Sequence, residues 1–197
     1  MPKNKTAELE RLEILRLSNQ ESNQITKPCI ESALVLLMKD RCLHNISITD
    51  IVKRAGVSRT AYYRNYDSKE DILRSIIQKI VEQYMGELKV HPPVKNTYDC
   101  WHRLFYTTKQ HAEFLQLLLK SSLGDIALDE IYKKVIPETK KVDIQATYNA
   151  CFWIGAIYNL VAAWIRGGMQ QSFEEMSEIS YHIVNNITDV CTPSKDN

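Results

Sequence analysis

Ile48, Ile51, Val52 and Ala55 fall at positions i, i+3, i+4 and i+7, the spacing of one apolar helix stripe. Ser47, three residues before Asp50, predicts a reciprocal cap at the start of that helix. Gly56 follows at once, and a sharp stop calls for a left-handed residue, which glycine adopts without a Cβ clash. Val57 fills the corner and Ser58 caps a second short helix over about 59–66. Tyr62 and Tyr66, four apart, form its inner face; Arg59, Thr60, Tyr63 and Arg64 form its outer one. Two short helices joined by so tight a turn predict a helix-turn-helix, whose second helix enters the DNA major groove.

The same periodicity predicts helices on either side. An apolar helix over 25–41 precedes the pair. Ser68 and Asp71 repeat the capping pattern and open a connecting helix over 69–88, with Ile72, Leu73, Ile76, Ile77, Ile80, Val81 and Tyr84 as its buried stripe. His91-Pro92-Pro93 interrupts the chain, because proline removes a backbone donor and restrains its neighbour. Helices are predicted beyond it near 96–110, 112–122, 125–136, 141–167 and 173–191, with Pro137 and Gly167-Gly168 as punctuation. The expectation is an all-α chain in three parts. Residues 1–22 form a polar arm or a short extra helix over Thr6–Leu17, residues 23–70 a DNA-binding domain, and residues 71–197 a larger helical domain.

Composition narrows the class. The 197 residues are 44% hydrophobic and 25% charged, ordinary for a globular protein. No uninterrupted apolar run reaches the roughly 18 to 20 residues of a bilayer span, and the N-terminus lacks a signal core. Five scattered cysteines, none in a C-x-x-C pair, argue for reduced thiols in a cytoplasm rather than a disulfide framework or a zinc site. Net charge is only +1, but residues 25–74 hold nine Lys or Arg against six acids, or +3, which leaves about −2 for the remainder. Phosphate-loop, dinucleotide-binding, zinc-protease and serine-hydrolase motifs do not occur, and the five histidines lack metal-ligand spacing. No enzyme activity, cofactor or metal is expected.

Ala55-Gly56-Val57-Ser58, the aromatic residues Tyr62, Tyr63 and Tyr66, and Ser68-Lys69-Glu70 before a helix together resemble the signature of the TetR family of bacterial transcriptional regulators. The resemblance is strong over about 25–75; beyond that it rests on the helical layout and on Trp164-Ile165-Arg166-Gly167-Gly168 at a helix end. Cys42, Thr60, Ala61 and Asn65 depart from the residues common in the family, and the last three lie on or beside the DNA-facing helix.

Arg59 and Thr60, opening the second helix, are placed to read base edges. Ser47, Thr49 and Ser58 are short donors near helix starts, where backbone amides also favour phosphate. The resemblance gives Tyr63 and Lys69 phosphate-contacting roles, and Arg64 is a further candidate. It also implies a homodimer through the last two long helices, a palindromic operator in double-stranded DNA and a small-molecule effector. Candidate effector-contacting residues are Tyr98, Trp101, His102, Phe105, Tyr106, Phe114 and Leu118 in the first half of the second domain, and Phe152, Tyr158 and Asn159 further on. The expected function is a ligand-responsive repressor. The alternative is a helical ligand-binding or protein-interaction co-regulator without specific DNA binding.

Overall fold

The computed structural model describes residues 25–90, 98–136 and 143–191. The possible helix over Thr6–Leu17, the His91-Pro92-Pro93 break and Pro137 lie outside the described residues. The regular elements among those described are all helical, and the chain forms two compact units, Met1–Ser75 and Ile76–Asn197.

In the first unit, α1 covers 25–38. Ile30, Ala33, Leu34, Leu37 and Met38 form its buried stripe at helical spacing. It ends three residues short of the position expected from sequence because the Leu37 carbonyl accepts the amides of both Asp40 and Arg41, which turns the chain. A 3-10 turn, Leu43–Asn45, follows; Cys42 enters it in an extended conformation, so no left-handed residue is needed there. Helices α2 (Ile48–Ala55) and α3 (Arg59–Asn65) pack on each other, and α4 (Lys69–Val90) begins in this unit. Ile30, Leu34, Ile46, Ile51, Tyr62, Ile72 and Leu73 are essentially inaccessible. Each large aliphatic so buried contributes about 1.5–3 kcal/mol before entropy is counted.

Glu31 of α1 is buried, and its carboxylate accepts from the Tyr66 hydroxyl (2.6 Å) and from Ser75 Oγ (2.9 Å). Lys27 lies over the Tyr66 ring, 5.6 Å from its centre. These contacts tie α1 to both ends of the segment after α3. Burial, followed by the bond to Glu31, raises the Tyr66 pKa.

The second unit contains the rest of α4, then α5 (Tyr98–Gln110), α6 (Ala112–Lys120), α7 (Gly124–Val135), α8 (Ile144–Arg166) and α9 (Phe173–Cys191). Helix α5 packs along α9, while α6 and α7 pack on α8. Trp101 and Phe105 meet Trp164, Met176 and Val184 in one core, with Phe105 edge-on to Trp164 at 5.3 Å. Helix α8 stops at Gly167-Gly168; Gly168 takes φ +78°, and Met169 N–H returns to the Trp164 carbonyl at 3.0 Å. Ser172 and Glu175 then cap α9 reciprocally.

Helix α8 is long and apolar enough to cross a membrane by length and composition, contrary to the expectation from uninterrupted runs. Polar residues such as Gln145, Asn149 and Asn159 break up the run without lowering its average hydropathy below that of a span. A core helix of a soluble protein passes the same test. Much of α8 is uncovered in the single chain: Ile144 and Tyr148 are each 72% exposed and Phe152 is 61% exposed.

Candidate nucleic-acid interface

The corner between α2 and α3 is built by three caps. Ser47 Oγ accepts the Asp50 amide (3.1 Å), while Asp50 accepts from the Ser47 amide (3.0 Å) and hydroxyl (2.8 Å). The Ser47 bonds, backbone first, hold the Asp50 carboxyl below its ordinary value; Arg41, 3.4 Å away, adds to the effect. Gly56 ends α2 at φ +68°, and a side chain there would be strained despite open space around it. Ser58 Oγ accepts the Ala61 amide at 3.0 Å and starts α3.

On this frame Thr49, Arg59, Thr60, Tyr63 and Arg64 are all exposed. The Arg59 guanidinium donates to the Thr49 hydroxyl, joining the first turn of α3 to α2. Tyr63 is 53% exposed and stands edge-on to the buried Tyr62 at 5.2 Å. Asn65 Nδ2 donates to the Ala61 carbonyl of its own helix at 2.8 Å.

Three sequence candidates differ from the rest in what they already contact. Ser47 uses its proton on Asp50 and its lone pair on the helix amide. Ser58 is exposed, and the cap uses its oxygen as an acceptor. Lys69 is half-buried, and its ammonium donates to the Leu43 carbonyl (2.8 Å) and the Ile46 carbonyl (2.7 Å). Two of its three N–H groups therefore hold the 3-10 turn against the start of α4, where sequence reasoning expected a phosphate contact. The nearby pattern Leu43…Ile46 carried no signal of this, because the acceptors are backbone atoms.

Tyr62 is fully buried, and its hydroxyl has no hydrogen-bond partner among the described residues. Burial pushes its pKa up to about 12. The ring is thus a core element with a stranded polar tip.

A second feature lies within the second unit: a cavity of about 320 Å³ bounded by α4, α5, α6, α7 and α8. Ile80, Met85, Leu118, Ile131, Trp153 and Tyr158 represent its wall, which is almost wholly apolar. Of the candidate effector residues, Leu118 and Tyr158 line it. Trp101 and Phe105 are buried in the core with Trp164 and the α9 residues Met176 and Val184. His102 packs on Phe173, 5.2 Å between ring centres. Phe114 is buried on α6 away from the cavity wall, Phe152 is exposed, and exposed Asn159 bonds the Gly155 carbonyl at 2.8 Å. Sequence reasoning favoured aromatics, whereas the wall is mostly aliphatic.

A capped two-helix corner on a helical support, with cationic and hydroxyl side chains outward, defines a domain of the helix-turn-helix class. Residues 31–76 match the model of the bacterial regulatory proteins of the tetR family. It is 24% identical over 173 residues to the HTH-type transcriptional regulator YxbF of Bacillus subtilis, an alignment that takes in 79% of this chain and 43% of YxbF. The chain thus spans less than half the length of that relative. Among solved structures, Lin0861 of Listeria innocua shares the fold with a TM-score of 0.64 at 17% identity, over 83% of this chain and 91% of that one. A TetR transcriptional regulator of Streptococcus agalactiae does so with a TM-score of 0.56 at 19% identity, over 86% and 98%.

Proposed function

We propose that this protein is a sequence-specific DNA-binding transcriptional regulator that acts as a homodimer on a palindromic operator and represses by occupying a promoter. The observation that carries the reading is the exposed set Thr49, Arg59, Thr60, Tyr63 and Arg64 on a corner fixed by three caps. Arg59 offers a fork for guanine, Thr60 reaches a base edge or a thymine methyl, and Tyr63 and Arg64 suit phosphates.

Dimerisation is supported by apolar residues left in solvent on the last two helices. Ile144, Tyr148 and Phe152 repeat every four residues on α8, and Ile179 and Ile183 do so on α9. A two-fold pair presents two recognition helices to half-sites about one helical turn apart, roughly 34–36 Å. Control by a small molecule is supported by the apolar cavity, which is partly open to solvent. A ligand there acts by binding one arrangement of the dimer better than the other.

The test is binding of the purified protein to DNA from upstream of its own gene and to random DNA, at two salt concentrations. Selective, salt-sensitive binding with two chains per site is expected. Equal binding to random DNA, with a genome-wide selection that also yields no preferred site, sinks the reading in favour of a co-regulator without specific DNA binding.

A further inference from the structure

The cavity of the second unit is selective by what its wall lacks. Among the described residues that line it there is no Asp, Glu, Lys, Arg, His, Asn, Gln, Ser or Thr. Tyr84, Tyr158 and Trp153 are the lining residues that carry a polar side-chain atom, and almost none of the cavity's surface is polar.

Tyr84 is already engaged. The Thr108 hydroxyl donates to the Leu104 carbonyl at 2.8 Å, so its single proton is used. The 2.8 Å contact between Tyr84 and Thr108 therefore has Tyr84 as donor. Tyr158 has no hydrogen-bond partner among the described residues, and its hydroxyl lies directly over Gly124, where a Cβ would collide with it. Burial raises its pKa above that of an ordinary phenol, which is already protonated at neutral pH. Tyr158 and Trp153 thus supply what little polarity remains free in the wall, and the wall carries no charge.

We propose that the cavity takes a neutral, mainly hydrocarbon molecule carrying a single oxygen acceptor, such as an alcohol, ketone or ester, with Tyr158 donating to that oxygen. At about 30 Å³ of liquid volume per heavy atom, 320 Å³ holds on the order of ten heavy atoms. A carboxylate or ammonium that enters the cavity leaves hydration behind and meets no counter-charge in the wall. This rests on the ligand-responsive reading above and specifies the chemistry of its effector.

The experiment is calorimetric titration of the intact protein with three probes of equal chain length: 1-octanol, octanoate and octyltrimethylammonium. Octanol is expected to bind at least tenfold more tightly than either ion. Tyr158→Phe should weaken octanol roughly three- to tenfold, the effect of one hydrogen bond, and leave the ions unchanged. Ala150→Phe and Ala127→Leu, which fill the cavity from two different helices, should each abolish octanol binding, with melting temperature confirming the fold. Octanoate or the ammonium binding as well as octanol, or no probe binding at all, overturns the proposal. Unchanged octanol affinity in Tyr158→Phe overturns the role of that hydroxyl. DNA release is read separately by fluorescence anisotropy. Octanol that binds but leaves operator DNA bound contradicts ligand control while upholding the cavity's chemistry.

Discussion

Arg59 and Thr49 are ten residues apart in sequence, yet the guanidinium of one donates to the hydroxyl of the other across the α2–α3 corner. The side chain best suited to read a base is thereby held in place before DNA arrives, and less of its rotamer freedom is left to lose on binding. Arg59→Ala should cost about 1–3 kcal/mol on the preferred operator and relax selection at one base position. Equal loss on specific and random DNA contradicts a base-reading role. Thr49→Val removes the anchor alone; a smaller loss confined to specific DNA is expected from competition binding.

Lys69 gives an opposite expectation. Its ammonium serves the Leu43 and Ile46 carbonyls, so Lys69→Met should lower unfolding stability by roughly 1–2 kcal/mol. The slope of log affinity against log salt should stay as in the parent. A slope flatter by about one unit would return Lys69 to the phosphate backbone.

The two buried tyrosines of the first unit should respond in opposite senses to the same substitution. Tyr62→Phe removes a hydroxyl without a partner among the described residues and should be neutral or stabilising by up to about 1 kcal/mol. Tyr66→Phe takes a donor from buried Glu31 and should destabilise by about 1–3 kcal/mol. Urea denaturation at neutral pH ranks the pair, and a reversed order contradicts the hydrogen-bonding pattern.

Acid should loosen the corner through Asp50. Its folded-state pKa lies below the ordinary 3.8, so its contribution is fully present above that value and is lost as pH falls through the lowered one. Asp50→Asn should remove this dependence: variant and parent should converge in stability below the ordinary carboxylate range and diverge above it. A constant gap across acid denaturation curves excludes the titration of Asp50 as the cause.

Gly124 begins α7 beneath the Tyr158 hydroxyl. Gly124→Ala gains helix propensity, about 1 kcal/mol, yet its methyl meets that oxygen. The single variant should be destabilised, and adding Tyr158→Phe should recover most of the loss. Additive effects in the double-mutant cycle would show that the two sites do not share the space.

The helices of the first unit were legible because their signals are local. A serine three residues before an acid, a glycine at a stop and apolar residues at helical spacing each state a short-range rule, and Ser47, Gly56 and Ser58 obey it. The long helices α4 and α9 followed from periodicity in the same way. What escaped depends on contacts distant in sequence. Glu31 counted only as one acid among six, although it anchors Tyr66 and Ser75 from 35 and 44 residues away. The cavity escaped because aliphatic residues that line a void and those that fill a core have one pattern. Trp101 and Phe152 attracted attention by size, but one is buried among α9 residues and the other faces outward.

The bare flank of α8, with Ile144, Tyr148 and Phe152 in solvent, also bears on gene dosage. With pairing as proposed, the number of assembled regulators at low expression rises with the square of the number of chains made. Lone copies carry a greasy ridge that invites aggregation and proteolysis, so scarcity is reinforced rather than buffered. Halving synthesis would then remove more than half of the operator occupancy, a threshold set by the surface of one helix.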